Sequence, residues 1–241
     1  MSTSYVGFNV QQAPFDNLLV RQAINYALDV EAVAEFIYTG QAAQISGPLP
    51  PLVWGSRTDL AGYEYNPEKA KELLAQAGYP NGFKTTIWTN DNPLRMQIAE
   101  MFQANLAEVG VDVEVQIIPW ATYLADTAAG KHDMFILGWV TVTADPDYGL
   151  YALFHSSQFG DAGNRSFYAN ERVDELLDLG RREADPDKRL AIYAEAQELI
   201  VEEAPWAFLI ATSEVNGMQE NVEGFVPHPA GHHRLSTVYK K

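Results

Sequence analysis

Two acids and two hydroxyl residues lie close together in the segment Asp133–Tyr148, which reads DMFILGWVTVTADPDY. A pair of carboxylates such as Asp145 and Asp147 can carry out acid–base chemistry when its surroundings separate the two pKa values. Thr141 and Thr143 add hydroxyl groups that can hydrogen-bond a ligand. No G-x-S-x-G, H-E-x-x-H or phosphate-loop motif accompanies them, so the pattern favours binding over catalysis. A hydrolase that uses the two acids remains an alternative.

A buried strand is predicted to position this segment. Met134 to Leu137 is a short apolar run, typical of a strand that is covered on both faces. Trp139 follows it, and Pro146 fixes a turn in the loop beyond. Open α/β sheets bind ligands just beyond the carboxyl ends of their strands, so this sequence predicts a small-molecule site. In the alternative interpretation Trp139 belongs to the core and the acids cap the next helix.

Other candidate side chains lie outside this segment. Arg165, in the loop Gly163–Arg165, could form a bidentate pair with a ligand carboxylate or with one of the acids on the same surface. His155 is predicted either to hydrogen-bond a ligand or to cap a helix end. The histidines near the end of the sequence lack the spacing of a helical metal pair, so no metal site is predicted. They are His228, His232 and His233.

Length and composition limit the classes of function. The 241 residues, with 47% hydrophobic and 20% charged residues, are enough for one large or two small globular domains. A formal net charge of −16 argues against nucleic acid or an anionic membrane as the main partner. The absence of cysteine excludes disulfides and thiol chemistry. The first residues, MSTSYVGFNV, lack the pattern of a signal peptide, so the sequence is expected to start at a domain boundary.

Hydrophobic periodicity and helix-boundary signals predict an alternating α/β chain. Asn66-Pro67, for example, combines a helix N-cap with a proline at the first helical position, and Gly78 ends that helix. The stretch Gln41–Tyr65 is predicted to be a long ordered loop. The predicted strands are residues 5–10, 83–89, 111–118, 134–137, 207–211 and 222–226, with a strand-like stretch at 166–168. The predicted helices are residues 17–28, 30–38, 67–77, 93–109, 120–129, 171–183 and 187–203.

Several motifs, in this order along the chain, together resemble a known family. They are YVGFNVQQAPFDNLLVRQAINYALDVEAV, YEYNPEKAKELLAQAGYPNGF, FQANLAEVGVDVEVQIIPWATYL, HDMFILGW, DPDYGLYALF, FYANERVDELLDLG and RLAIYAEAQELIVEEAPWAFL. The chain resembles the carboxy-terminal half of the dipeptide- and oligopeptide-binding proteins of ABC importers, family 5 of the extracellular solute-binding proteins. The resemblance implies an α/β lobe with a mixed sheet flanked by helices, the second lobe of a two-lobed periplasmic-binding-protein-like fold. Residues 1–10 would form a hinge-proximal strand, residues 11–220 the lobe, and residues 221–241 a segment that returns toward the first lobe.

The resemblance also implies a ligand site. In the peptide-binding members, an Asp three residues beyond the Trp of the Gly-Trp pair binds the amino terminus of the ligand, and that position here is Val142. Because a desolvated ammonium group needs an opposite charge, Asp145 or Asp147 is expected to replace it, unless the ligand has no free amine there. The predicted ligand-contact residues are Trp139, Val140, Thr141, Val142, Thr143, Asp145, Asp147, Tyr148, Asn164 and Arg165.

The implied function is that of the substrate-binding component of an ABC importer, which captures peptides by closure of two lobes and is not an enzyme. No cofactor is expected. The alternative ligands for the same fold are an oligosaccharide, an opine or a nickel chelate. The expected partners are the solute, the membrane permease subunits and the first lobe of the same protein. The expected location of the full-length parent is the periplasm, or the cell surface as a lipoprotein.

Overall fold

A six-stranded mixed sheet with helices on both faces forms the centre of the protein. The computed structural model describes residues 1–241. The strands are β1 (Ser2–Phe8), β2 (Ala42–Gln44), β3 (Lys84–Thr89), β4 (Asp112–Ile117), β5 (Met134–Val140), β6 (Trp206–Thr212), β7 (Val222–Glu223) and β8 (Tyr239–Lys240). The helices are α1 (Leu18–Ala27), α2 (Val30–Ala32, continued by a π-helical turn, Val33–Ile37), α3 (Pro67–Gln76), α4 (Pro93–Glu108), α5 (Trp120–Ala128), α6 (Pro146–Phe154), α7 (Glu171–Gly180) and α8 (Pro186–Glu203).

The strand order of the main sheet is β2-β6-β1-β5-β3-β4. Strand β3 runs parallel to β4 and β5, whereas β1 is antiparallel to β5 and β6, and β2 is antiparallel to β6. The amino end of β1 therefore lies beside the carboxyl end of β5, where Ser2 is opposite Val140. The α/β class and the mixed sheet that the sequence predicts are confirmed.

Successive residues of the central strands point into two separate hydrophobic cores. On one face, Val6 and Ile136 pack with apolar residues of α1, α3 and α4. On the other face, Tyr5 and Phe135 pack with residues of α6, α7 and α8. Trp206 lies in this second core, where its ring is stacked on Tyr5 with a centroid separation of 3.4 Å. Full burial of large apolar side chains stabilises the fold by about 1.5–3 kcal/mol each, so the two helix layers are held firmly against the sheet.

Four helices begin at an Asx-Pro pair. In each, the Asn or Asp side chain accepts hydrogen bonds from backbone N–H groups of the first turn, and the proline occupies the first helical position. Because proline has no N–H group and its φ suits a helix, the pair fixes where each helix starts. The pairs are Asn66-Pro67, Asn92-Pro93, Asp145-Pro146 and Asp185-Pro186.

Several predicted elements differ from the structure. The predicted loop Gln41–Tyr65 contains β2, which pairs with the outer side of β6. The predicted strand 134–137 continues to Val140, so Trp139 belongs to β5 rather than to a loop. The acidic loop predicted after it is largely replaced by α6.

Two stretches predicted as strands are also corrected. Residues 166–168 are not in a strand, because Phe167 has a φ of +54°, which is incompatible with extended backbone. The predicted strand 222–226 is reduced to β7, which pairs with β8 outside the main sheet. None of the helices combines the length and the apolar composition required to cross a membrane.

His132 is a buried histidine whose two ring nitrogens have no hydrogen-bond partner. Its ring lies 4.6 Å from that of Phe135 and 6.2 Å from that of Trp88, measured between centroids. Burial disfavours the charged imidazolium and lowers the pKa of His132 from 6.5 to about 4. The side chain is therefore neutral in the folded protein under conditions in which the unfolded chain binds a proton.

Acid is expected to destabilise the protein through His132. As the pH falls from 6.5 to 4, the unfolded chain binds the extra proton first, and the free energy of unfolding decreases by about 2–3 kcal/mol. His132→Leu removes this contribution, so its free energy of unfolding should depend less steeply on pH. Urea unfolding across this pH window measures the difference. His232→Gln is the control, because His232 is exposed. An unchanged pH dependence in His132→Leu would contradict the expectation.

Candidate ligand-binding site

An exposed apolar surface lies at the carboxyl end of β5. Val140, Val142 and Tyr148 are 38%, 40% and 38% exposed. Trp139 is half-buried, with its ring centroid 5.2 Å from that of Tyr148. The indole N–H of Trp139 is buried and has no hydrogen-bond partner. Apolar surface beside an unused polar group is typical of a binding site, because both are satisfied when a ligand covers them.

Two backbone segments border this surface. The N–H of Thr141 donates a hydrogen bond to the carbonyl of Met1 at 3.0 Å. Thr3 in turn pairs with Ala211 near the end of β6. The beginning of β1 and the end of β6 therefore lie at the same edge of the sheet as the end of β5. This is the edge at which open α/β sheets bind ligands.

Asp145 is held within the fold. Its side chain accepts a hydrogen bond from the N–H of Asp147 at 3.0 Å and so caps α6. Both of its oxygens also accept hydrogen bonds from the guanidinium of Arg189 in α8, each at 2.7 Å. The Arg189 hydrogen bonds lower the pKa of Asp145. For Asp145 to bind a ligand amine, a bidentate ion pair would have to be broken.

Substitutions at Asp145 are expected to distinguish the contribution of the helix cap to stability from that of the ion pair with Arg189. Asp145→Asn keeps an oxygen that can cap α6 but loses the ion pair, and should cost about 1 kcal/mol in the free energy of unfolding. Asp145→Ala loses both and should cost about 2 kcal/mol. Urea unfolding measures both values.

The chain offers a matched control at the start of α8. Asp185 caps that helix through the N–H groups of Asp187 and Lys188 and forms no ion pair. Asp185→Ala should therefore cost only the cap, about 1 kcal/mol. Equal losses for Asp145→Ala and Asp185→Ala would show that the Arg189 pair contributes nothing to stability.

Asp147 is less completely paired than Asp145. It lies in the first turn of α6, and its Oδ1 is 3.2 Å from Nε of Arg181. That oxygen is buried and makes no hydrogen bond. Burial raises the pKa of Asp147, and Arg181 opposes this rise. Asp147 therefore retains unused hydrogen-bonding capacity, whereas Asp145 does not.

The two threonines differ in exposure. Thr141 is only 1% exposed, and its Oγ1 would lie 3.1 Å from a Cβ built on Gly149 of α6. A contact between the Thr141 hydroxyl and a ligand, as the sequence predicts, would require this side chain to become exposed. Thr143 is exposed, and its Oγ1 accepts a hydrogen bond from the N–H of Asp145 at 3.3 Å. The Thr143 hydroxyl hydrogen remains free to donate.

Asn164, one of the predicted ligand contacts, is buried within the fold. Its side chain is 0% exposed. Its Nδ2 donates to the carbonyls of His155 and Tyr168 at 3.2 and 2.8 Å, and its Oδ1 accepts from the N–H of Tyr168 at 3.2 Å. The amide therefore joins two irregular segments and has no surface left for a ligand.

Arg165 lies in a segment that borders the amino end of β5, where the N–H of Val10 donates to the carbonyl of Ser166 at 3.0 Å. It is half-buried, and its side chain donates one long hydrogen bond, 3.4 Å, from Nη1 to the carbonyl of Leu124. The arginine–carboxylate ion pairs of the chain are formed by other arginines. The alternative that Arg165 pairs with a surface acid is therefore not observed.

The histidines have local structural roles. Nδ1 of His155 accepts a hydrogen bond from the N–H of Ser157 at 3.0 Å, so His155 caps a short helical turn, one of its two predicted roles. In the tail, Nε2 of His233 lies 2.9 Å from Oε1 of Glu214. Nδ1 of His228 accepts from the N–H of Ala230 at 3.2 Å. These contacts hold loop segments together.

The exposed apolar surface thus lies at the carboxyl edge of a mixed α/β sheet, where proteins of this fold class bind ligands. Residues 1–161 match the family model described as bacterial extracellular solute-binding proteins, family 5 middle. The chain belongs to the family 5 bacterial extracellular solute-binding proteins.

The chain spans less than half the length of the curated relatives it matches. Heme-binding protein A of Haemophilus influenzae is 36% identical over 239 residues, which cover 96% of this chain and 43% of that protein. The dipeptide-binding protein of Escherichia coli is 33% identical over 244 residues, which cover 99% of this chain and 45% of that protein. Among solved structures, the ABC transporter-associated periplasmic binding protein DppA from Helicobacter pylori, in complex with peptide STSA, is 39% identical with a TM-score of 0.91. The match covers 99% of this chain and 47% of the Helicobacter pylori chain.

Proposed function

We propose that this chain is the second lobe of a two-lobed receptor of an ABC importer, and that the receptor captures peptides. The observation that carries the proposal is the exposed apolar surface formed by Val140, Val142 and Tyr148 at the ligand-binding edge of the sheet. A peptide and a first lobe together would cover this surface. The peptide complex of the Helicobacter pylori protein, 39% identical to this chain, supports a peptide as the ligand.

The proposed mechanism is trapping of the ligand by hinge closure, without turnover. The beginning of β1 and the end of β6 lie side by side at the edge that carries the apolar surface. Connections to a first lobe at this edge would form a hinge next to the ligand. In this proposal residues 1–10 are hinge-proximal and supply the central strand β1 to the sheet. Residues 11–220 form the rest of the lobe, and residues 221–241 return toward the first lobe.

The proposed ligand contacts follow from exposure. Trp139, Val140, Val142 and Tyr148 would pack against peptide side chains. The Thr143 hydroxyl and nearby backbone groups would hydrogen-bond the peptide main chain, which is the same in every sequence. The receptor would act in the periplasm, or at the cell surface as a lipoprotein, and would deliver its ligand to the permease subunits of the importer.

Titration calorimetry on the two-lobed parent, the full-length protein that contains this chain, tests the proposal. A mixed pool of short peptides should bind with a Kd of roughly micromolar or tighter, and the peptides should be recovered intact. Binding of an oligosaccharide, an opine or a nickel chelate, with no binding of peptides, would contradict the peptide assignment. Cleavage of the peptides would support the hydrolase alternative.

Asp147 is proposed to bind the ligand amine in place of the carboxylate missing at Val142. A desolvated ammonium needs a partner, and Asp147 is held by a single contact with Arg181, whereas Asp145 accepts two hydrogen bonds from Arg189. In the two-lobed parent, Asp147→Asn should weaken binding of a free-amine peptide roughly 10- to 100-fold. Binding of the amino-acetylated peptide should change less than roughly 3-fold. Calorimetry with both peptides measures this difference.

Asp187→Asn is the matched control. Asp187 follows Asp185-Pro186 in α8 as Asp147 follows Asp145-Pro146 in α6, and it is exposed. The Asp187→Asn substitution should leave the affinities for both peptides unchanged. Equal losses for the two peptides in Asp147→Asn, or no loss for either, would show that the amine is bound elsewhere.

A further inference from the structure

Arg95 is a half-buried arginine at the carboxyl ends of the three parallel strands. It lies in the first turn of α4, and its Nη1 donates to Oδ1 of Asn90, just after β3, at 3.0 Å. Its guanidinium carbon lies 5.7 Å from the ring centroid of Trp120, which follows β4. Its Nη2 lies 3.7 Å from the position that a Cβ on Gly138 of β5 would take. Arg95 thus reaches the ends of β3, β4 and β5 at once.

The charge of Arg95 is not matched by a carboxylate of this chain. Acids outnumber bases, 32 Asp and Glu against 16 Lys and Arg, and most arginines form ion pairs, but Arg95 forms none. Its side chain donates to Asn90 through Nη1, which leaves the Nε and Nη2 groups free to donate. The arginines that do form ion pairs are Arg57, Arg172, Arg181, Arg182 and Arg189.

A second arginine without an ion pair, Arg165, contributes to the electrostatic environment of the same two buried tyrosines as Arg95. Burial raises the pKa of both Tyr5 and Tyr123, and the positive charges of Arg165 and Arg95 oppose this rise in each tyrosine. The two guanidinium groups therefore contribute positive potential around the same pair of buried rings. An anionic group of a ligand would be favoured beside the half-buried guanidinium of Arg95 over the rest of this acidic protein.

We propose that Arg95 binds the carboxylate group of the ligand, which for a peptide is its terminal carboxylate. The inference rests on the proposed function and specifies how the site orients its ligand. Asn90 positions the guanidinium, whose free N–H groups can form a bidentate pair with a carboxylate. The ring of Trp120, which is 45% exposed, lies beside Arg95 and would pack on the adjoining ligand side chain.

The test compares a peptide that has a free terminal carboxylate with its carboxamide analogue, using the two-lobed parent. The wild type should prefer the free carboxylate. Arg95→Gln should weaken binding of the free-carboxylate peptide roughly 10- to 100-fold, and binding of the carboxamide less than roughly 3-fold. Arg95→Met, which keeps the aliphatic contact with Trp120, should behave in the same way. Arg182→Gln is the control, because its side chain is 76% exposed.

The outcomes separate this inference from the proposed function. Wild-type binding of both peptides with equal affinity, or equal losses for both peptides in the Arg95 variants, would overturn the role of Arg95 and leave peptide capture intact. Failure of the wild type to bind either peptide would overturn peptide capture and this inference with it. Thermal unfolding identifies a variant that does not fold. If only one of Arg95→Gln and Arg95→Met folds, its affinities for the two peptides, together with the wild-type preference, test the role of Arg95.

Discussion

Replacing Asn164 with leucine is expected to lower the free energy of unfolding by about 4 kcal/mol. The substitution keeps a similar volume but removes the three hydrogen bonds that the amide makes with the backbone of His155 and Tyr168. These backbone groups would then be buried without a partner, which costs more than the loss of an exposed hydrogen bond. Urea unfolding of the 241-residue chain measures the change.

The control is Asn221→Leu, because Asn221 is exposed and should alter stability by no more than about 0.5 kcal/mol. A loss of less than about 1 kcal/mol for Asn164→Leu would contradict the structural role. Unchanged stability together with weakened peptide binding in the two-lobed parent would return Asn164 to the ligand-contact residues.

Separating this lobe from the proposed two-lobed parent is expected to weaken peptide binding by roughly a thousand-fold. The isolated chain offers the contacts of one lobe and none of the gain from closure, while the entropic cost of association remains. Calorimetry with one peptide, titrated into the chain and into the parent, gives both affinities. The chain alone should bind no tighter than roughly the high-micromolar range.

The isolated chain must be folded for this comparison, and its two hydrophobic cores should give a single cooperative unfolding transition. A folded chain that binds the peptide with nanomolar affinity would show that one lobe is sufficient. The proposed closure would then have no role in affinity.

Local sequence signals predict much of the fold. The Asn66-Pro67 pair predicts the start of α3, and the apolar run from Met134 predicts the buried part of β5. The same type of signal occurs at Asp145-Pro146, but the neighbouring acids and threonines favour a ligand loop when composition alone is considered. In the structure Asp145 caps α6. This is the alternative interpretation of the sequence, in which the acids cap the next helix, and the rule that identifies Asn66 favours it when applied to Asp145.

Contacts between distant parts of the chain could not be predicted in this way. Asp145 and Arg189 are 44 residues apart, and no periodic pattern connects them. Asn164 lies in a polar stretch that resembles a surface loop, and only the surrounding backbone buries it. The position of Arg95 at the ligand-binding edge could not be predicted either. Its position in an amphipathic helix predicts solvent exposure, whereas the sheet topology brings it to the ligand-binding edge.

The Val142 position shows how a family resemblance and a structure complement each other. The resemblance identifies the missing carboxylate, which no local pattern would indicate. The structure then distinguishes the two acids expected to replace it, because Asp145 is fully engaged with Arg189 and Asp147 is not. The proposed site consequently has a carboxylate for the ligand amine at α6 and a guanidinium for the ligand carboxylate at α4.

Native mass spectrometry of the two-lobed parent, purified without denaturation, tests the central claim most directly. Our account predicts that the protein carries one or more peptides, which are released intact on unfolding and identified by their fragment masses. A haem, an oligosaccharide, an opine or a nickel chelate bound in place of peptide, in a protein that then fails to bind added peptides, would contradict it.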